Sequence, residues 1–238
     1  MTQHDGTVPP SAPSSGRTGR PPVTSRAEIL TAARRLIDRD GWEKLTIRRL
    51  AAETGIGATT LYHHVRDKDD LLILLLTEYV EQLPRPELPP GPRDRIIAAA
   101  TAQHAALAAW PWAADVLTTD GFVGLLGEPA LWMVEAIVAA AIDYGCTPEQ
   151  AVDVFRSLWY YTVGEILVRA HTSRRRASGR IWRDIDFSNF DRSRLPHLAG
   201  LGDQWPTLAA RDIYPQGLHA FVDGLLAQVA GSGRSSRP

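Results

Sequence analysis

The stretch "GATTLYHHV" at residues 57–65 brings together side chains that could bind or catalyse. It holds two threonines, a tyrosine and the adjacent pair His63 and His64. Neighbouring side chains on a helix point about 100° apart and cannot both ligate one ion, whereas zinc pairs use i, i+4 spacing. Cysteine and glutamate ligands do not stand at the required spacing either. The sequence therefore predicts no metal here, and these side chains need another partner.

The segments around this stretch predict a helix-turn-helix. Thr46 is expected to cap a helix over "IRRLAAET", and Gly55 to end it in a left-handed conformation. Gly57 then opens a third short helix, Ala58 to about Val65, of which two apolar side chains face inward. Two short helices joined by a glycine-containing turn form a helix-turn-helix. The outward face carries hydroxyl, phenol and imidazole groups, which can hydrogen-bond base edges and phosphates.

The run "LTIRRLAAETGIGATTLYHHVRDKDDLL" at 45–72 resembles the DNA-binding domain of the tetracycline-repressor (TetR) family. Both carry a "LT.R.LA...G" helix and turn, a "TLY.H" recognition helix and a lysine that opens the next helix, and the resemblance covers about residues 26–72. It implies two groups of DNA-contacting side chains: phosphate contacts from Thr60, Tyr62, His64 and Lys68, and contacts near base edges from Arg48, Ala58, Thr59 and His63.

The start of the predicted recognition helix departs from the family pattern. Members often carry serine and a long polar residue where this chain has Gly57 and Ala58. Because these residues are small, the helix N-terminus can approach a phosphate closely. Gly57 and Ala58 are therefore also predicted to contact DNA. They supply no long side chain to read bases. Arg48 is therefore expected to provide more of the discrimination.

Charge and composition divide the chain. Residues 1–68 hold eleven Lys or Arg against seven Asp or Glu, and residues 69–238 hold fifteen against twenty. A basic N-terminal segment followed by an acidic remainder is expected when the N-terminal segment binds a polyanion, although chance could also produce this difference. Residues 1–25 are rich in Pro, Ser, Gly and Thr and predict a disordered arm. Its "GRTGRPP" could enter a minor groove or serve only as a flexible leader.

The remainder predicts an all-α protein. Helical periodicity recurs along the chain and no alternating strand pattern persists. Residues 172–210 predict a long polar loop with at most a short helix. The expected organisation is an arm at 1–25, a helix-turn-helix DNA-binding domain at 26–70, a larger helical ligand-binding and dimerisation domain at 71–231, and a tail at 232–238.

Aromatic and polar side chains of the larger domain are candidates for a ligand pocket. Apolar ligand sites are lined by such side chains with a few polar groups, although the same residues also build cores. The candidates are His104, Trp110, Trp132, Phe155, Trp159, Tyr161 and Glu165. Wide apolar stripes near 148–170 and 213–230 predict a homodimer through a four-helix bundle. Leu218, Phe221 and Leu225 are the candidate interface residues.

These features predict a ligand-responsive transcriptional regulator. The expected protein is a cytoplasmic repressor that binds a palindromic DNA operator as a homodimer and is released by a small, largely apolar effector. One alternative is a ligand-independent DNA-binding activator or architectural protein. A remote alternative is an all-α enzyme, but no Gly-x-Ser-x-Gly elbow, phosphate-cradling glycine loop or metal-spaced carboxylate set is present. No catalytic residue, cofactor or membrane partner is expected.

Overall fold

The computed structural model describes residues 25–119, 123–177 and 186–232. Within these ranges the chain forms helices and no β-strand, which confirms the all-α prediction. The helices are α1 Arg26–Asp40, α2 Ile47–Thr54, α3 Ala58–Tyr62, α4 Lys68–Gln82, α5 Pro92–Ala109, α6 Pro111–Leu117, α7 Glu128–Tyr144, α8 Pro148–Ala177, α9 Pro196–Leu201, α10 Trp205–Ala209 and α11 Tyr214–Ser232. The predicted arm, with its candidate minor-groove segment, and the predicted tail fall almost entirely outside the described residues.

Local capping chemistry sets the boundaries of the N-terminal helices. Ser25 and Glu28 form a reciprocal capping box, in which the Ser25 backbone N–H donates to the Glu28 carboxylate at 2.7 Å. Thr46 and Asp67 each accept a hydrogen bond from a backbone N–H in the first turn of α2 and α4. Gly55 ends α2 at φ 70°, a left-handed conformation that glycine adopts without steric cost. The boundaries at Thr46 and Gly55 agree with the sequence prediction.

The region predicted as a long loop at 172–210 is more helical than expected. Helix α8 continues to Ala177, and two short helices, α9 and α10, lie between 196 and 209. Each short helix has a proline in its first turn, at Pro196 and Pro206, where the missing N–H costs no hydrogen bond. Helix α6 begins in the same way, with a proline at its first position, Pro111.

The buried apolar side chains form two clusters. The first joins α1 to α4 with α6 and includes Leu61, Leu71 and Trp112, together with Ile166 from α8. The second lies among α5, α7, α8 and α11. Helices α4 and α6 therefore share one close-packed core with the helix-turn-helix.

One predicted dimer-interface residue belongs to the second cluster. Leu218 is fully buried within its own chain, against the faces of α5 and α8. It therefore cannot present its side chain to a partner subunit, and its prediction as an interface residue is corrected. The apolar stripe of α11 is wide enough to serve the core on one side and to leave Phe221 exposed on the other.

Gly217 on α11 is expected to tolerate no larger residue while Tyr161 is present. A Cβ at this position would overlap the Tyr161 hydroxyl, and the ring of Tyr161 is held by stacking on Tyr214. We expect Gly217→Ala to lower the free energy of unfolding by about 1–2 kcal/mol, the cost of overpacking less the helix propensity gained. Urea denaturation measures this change.

Two further variants test that explanation. Tyr161→Phe removes the overlapping oxygen and leaves the ring carbon Cζ 3.1 Å from the new Cβ, so Gly217→Ala should cost less in that background. Gly200→Ala in α9 is the control, because a Cβ there meets nothing within 4 Å. Equal losses at Gly217 with and without the Tyr161 hydroxyl would contradict the steric account.

Candidate nucleic-acid interface and its connection to the helical body

The predicted recognition helix is shorter than the sequence indicated. Helix α3 ends at Tyr62, and the prediction that it continues to about Val65 is wrong. His63 and His64 lie in a hydrogen-bonded turn, in which the His64 N–H donates to the Leu61 carbonyl at 2.9 Å. The two imidazoles therefore lie at the C-terminal edge of α3 and not along its length.

Helix α3 divides into a buried side and an exposed polar side. Leu61 and Val65 are buried in the first cluster and anchor the segment. The outward side chains are those of Thr59, Thr60, Tyr62 and His63, all of which are exposed. Tyr62 has 55% of its surface accessible, an unusual fraction for an aromatic side chain within a folded domain. The exposed polar side chains named here, with Arg48 of α2, are called the reading face below.

The two arginines of α2 have different environments. Arg49 donates to the Lys44 carbonyl at 3.0 Å and pairs with the Asp40 carboxylate. Arg48 is exposed and makes no hydrogen bond or ion pair within the described part of the chain. Arg49 therefore holds the start of α2 against α1, while the guanidinium of Arg48 is available to an external partner.

The corner between α3 and α4 is closed by Asp70. Its carboxylate accepts from the Arg66 backbone N–H at 2.9 Å and from the Arg66 guanidinium at 3.0 Å. These two hydrogen bonds lower the pKa of Asp70 below its usual value, the backbone bond being the larger cause. The interaction fixes the direction in which α4 leaves the reading face.

Lys68, the first residue of α4, is held near the reading face by two contacts. Its ammonium donates to the Glu43 carbonyl at 3.2 Å and lies 4.7 Å from the ring centroid of Trp42. An ammonium has three protons, so protons remain for a phosphate oxygen. The position of the Lys68 charge therefore depends on the position of Trp42.

Trp42 also joins the N-terminal helices to the helical body. Its indole Nε1–H donates to the Asp115 carboxylate on α6 at 2.7 Å. A single ring thus contacts both α6 and the first residue of α4. The contact between Trp42 and Asp115 could not be predicted from the sequence, because residues separated by 73 positions give no local signal of contact.

Three of the seven predicted ligand-pocket residues lie in one polar layer of the body. His104 Nε2 is 2.8 Å from the Glu165 carboxylate, and the His104 ring stacks on Tyr214 with centroids 3.7 Å apart. Tyr161 also stacks on Tyr214, with ring centroids 5.3 Å apart. Burial is the main cause that raises the pKa of Tyr214 to about 12. Its hydroxyl pairs with the Thr162 hydroxyl at 2.8 Å.

The other four predicted pocket residues lie elsewhere. Trp110 stacks on Tyr79 at 3.9 Å and Trp159 packs on the first cluster, whereas Phe155 packs on the second. Trp132 lies near Arg85. The structure therefore does not bring all seven side chains to one place, and their helical spacing reflects mainly their contribution to the cores.

The described residues form neither a metal site nor a membrane span. No group of three or more His, Cys, Asp or Glu side chains among them could hold a metal ion. Over the same residues, every helix is too short or too polar to cross a bilayer.

An exposed, polar helix-turn-helix corner joined to a larger all-α body is the architecture of a DNA-binding transcriptional regulator. The sequence matches the family "Bacterial regulatory proteins, tetR family" over residues 29–75 and the "Tetracyclin repressor-like, C-terminal domain" over residues 85–229. The second match alone spans more than half of the chain, which therefore belongs to the tetR family. It is a transcriptional regulator and not an enzyme, as the sequence predicted.

Individual relatives agree with this assignment. An HTH-type transcriptional regulator of Saccharopolyspora erythraea is 30% identical over 189 residues, 79% of this chain and 75% of that protein. The HTH-type transcriptional repressor DrrR1 of Streptomyces coeruleorubidus is 27% identical over 92% of this chain and 84% of its own length. ActR of Streptomyces coelicolor, solved in complex with actinorhodin, has a TM-score of 0.69 at 22% identity, covering 87% of this chain and 98% of that one.

Proposed function

We propose that this protein is a cytoplasmic repressor that binds a palindromic operator as a homodimer and leaves it when a small molecule binds. The observation that carries the proposal is the reading face, whose polar side chains point outward while Leu61 and Val65 anchor α3 from behind. Its side chains make no hydrogen bond or ion pair with any described residue. Its hydroxyl, phenol, imidazole and guanidinium groups suit a groove of DNA.

Contacts with DNA divide into positioning and reading. We assign Thr60, Tyr62, His64 and Lys68 to phosphates, and Arg48, Ala58, Thr59 and His63 to base edges. Gly57 supports a close approach at the start of α3, because a Cβ there would meet nothing within 4 Å and the fold itself does not require glycine. In this scheme residues 26–70 form the DNA-binding unit and residues 71–231 form the body, with α4 packed against both.

Dimerisation is proposed to occur through α8 and α11. Exposed apolar side chains stand on both helices, at Val152 and Val168 on α8 and at Phe221 on α11. Gly164 and Gly224 also have open space around them, so the fold of one chain does not demand glycine at either position. Large exposed apolar residues with small ones between them allow close packing of two helices from a second copy. A dimer would place two reading faces on two half-sites about 34 Å apart.

The effector is proposed to be a small, largely apolar molecule that binds the body. ActR, which resembles this chain in fold, was solved with actinorhodin bound. Within this chain, buried Gln103 on α5 has an Oε1 atom that accepts no hydrogen bond from any described residue. The body therefore contains a buried acceptor that no described residue uses.

A gel-shift assay tests the repressor proposal. The protein is expected to retard DNA from upstream of its own gene, and a small-molecule extract of the source cells is expected to release it. DNA of equal length from within the coding sequence is the control and should not be retarded specifically. Specific retardation that no extract relieves would favour the ligand-independent activator or architectural alternative, and the absence of any specific retardation would overturn the proposal.

A further inference from the structure

A cavity of about 370 Å³ lies where the helix-turn-helix meets the body. Its walls come from the end of α1, from the junction of α5 and α6, and from the second half of α8. We call it the junction cavity. Its lining residues are Ile37, Asp38, Gly41, Ala108, Pro111, Trp112, Glu165, Ile166, Arg169, Ala170, Ser173 and Arg174. Of the seven pocket residues predicted from the sequence, only Glu165 is among them.

The size and the walls of this cavity suit a small aromatic molecule. Ligand pockets for drug-sized molecules begin at about 300 Å³ and are mainly apolar. Here the floor is apolar, with Ile166 and Trp112 both almost fully buried and Ala108 and Pro111 beside them. An apolar floor of this kind suits an aromatic ring, which leaves water when it binds there.

The charges at the rim distinguish the two sides of the cavity. Arg169 is held by the Glu165 carboxylate at 2.5 Å and by Asp212 at 3.2 Å. Arg174, one turn further along α8, has no hydrogen-bond or ion-pair partner among the described residues. Asp38 on the α1 side would repel an anion, whereas the Glu165 carboxylate on the α8 side is paired with Arg169 and His104. An acidic group is therefore favoured on the α8 side, where the guanidinium of Arg174 can bind a carboxylate or sulfonate through two N–H groups.

We propose that the junction cavity binds a small aromatic molecule that carries one acidic group, and that its occupation weakens operator binding. The proposal rests on the proposed function, because it takes the protein to be a regulator released by a small molecule. It adds the place of binding and the chemical class of the ligand.

The position of the cavity explains how binding would reach the DNA. Its walls belong both to α1 and to the body, so its volume depends on how the two are placed relative to each other. A ligand that fits one placement better than the other shifts the equilibrium between them by its difference in affinity. Gly41 in the wall directly precedes Trp42, which holds Asp115 of α6 and lies beneath the Lys68 ammonium. A shift of this wall moves Lys68 at the edge of the reading face.

The probe 1-anilinonaphthalene-8-sulfonate, an aromatic anion, tests the site directly by its fluorescence. In the wild type the fluorescence of the bound probe is expected to rise to saturation as probe is added. Ala170→Trp fills the cavity and is expected to abolish this rise. Arg174→Gln at the exposed rim is expected to weaken probe binding on the order of tenfold through the lost charge-assisted hydrogen bonds. Arg192→Gln is the matched control, since Arg192 is exposed and does not line the cavity, and it should leave the titration unchanged. Melting curves accompany each variant.

The same proteins are then titrated with operator DNA in the presence and absence of the probe. The probe is expected to weaken operator binding by the wild type and by Arg192→Gln, but not by Ala170→Trp. Equal probe binding by all four proteins would overturn the site, and probe binding at the cavity without any change in operator affinity would overturn the coupling. A wild-type protein that binds no operator would overturn the proposed function, while the probe titration alone still decides whether the cavity binds an aromatic anion.

Discussion

Replacing Arg48 with alanine is expected to cost about 1–3 kcal/mol of operator binding, chiefly at one base pair. Arg48 is exposed on α2, has no partner among the described residues and can form two hydrogen bonds with a guanine edge. Because Ala58 gives α3 no long side chain to read bases, Arg48 is expected to supply most of the discrimination. Operators substituted at each position in turn measure the effect, and preference should relax at a single position in each half-site.

Arg49 is the control for this prediction. Its guanidinium is occupied by Asp40 and by the Lys44 carbonyl, so Arg49→Ala should lower the melting temperature and leave base preference unchanged. Arg48→Ala should leave the melting temperature unchanged. If Arg48→Ala weakens binding equally on every operator variant, this arginine contacts phosphate and the assignment to a base is wrong.

Introducing a charge at Phe221 is expected to separate the dimer and thereby remove most operator binding. Phe221 is 37% exposed in the single chain and packs against Tyr161 on its inner side. Burying the carboxylate of Phe221→Glu against a partner helix would be strongly unfavourable, so the monomer is favoured. A monomer contacts one half-site only. The second half-site strengthens binding only when two DNA-binding domains are linked in one dimer, so the affinity of the monomer for the full operator should be lower by at least a hundredfold. Sedimentation and operator titration measure the two effects.

Leu125→Glu controls for adding a charge at an exposed apolar residue. Leu125 is 56% exposed and lies in the 3-10 turn Val123–Leu125, away from α8 and α11 along the chain. The variant should remain a dimer and bind the operator as the wild type does. A wild type that sediments as a monomer at micromolar concentration, or a dimeric Phe221→Glu protein, would contradict the proposed interface.

The parts of the fold that depend on local chemistry could be predicted from the sequence. Ser25, Thr46 and Asp67 cap their helices through bonds to residues three positions away, and Gly55 ends α2 through its own backbone conformation. Such signals are complete within a short window. The order of residues in the helix-turn-helix also resembles that of the TetR family. This resemblance is why the class of protein could be predicted correctly.

The parts that depend on packing could not be predicted in the same way. The apolar positions of α11 share helical spacing, yet Leu218 faces the core and Phe221 faces outward, and spacing alone cannot decide which side a partner covers. The junction cavity is built by Ile37, Trp112 and Ile166, which are distant in sequence. The contact between Trp42 and Asp115 is equally invisible, since only the packing of α6 on the N-terminal helices creates it.

The most direct test of the reading face is a salt-dependent DNA titration of the wild type, Tyr62→Phe and Lys68→Ala on operator and shuffled DNA, with melting curves. Both variants should lose affinity about equally on the two DNAs, and Lys68→Ala should flatten the salt dependence by about one counterion. Tyr62→Phe should not change the melting temperature, because its hydroxyl has no partner among the described residues. Lys68→Ala should lower stability by about 1 kcal/mol or less, through the lost contact with Trp42. Variants that lose stability but bind DNA as the wild type does would mean that this face serves the fold, and would contradict its assignment to DNA.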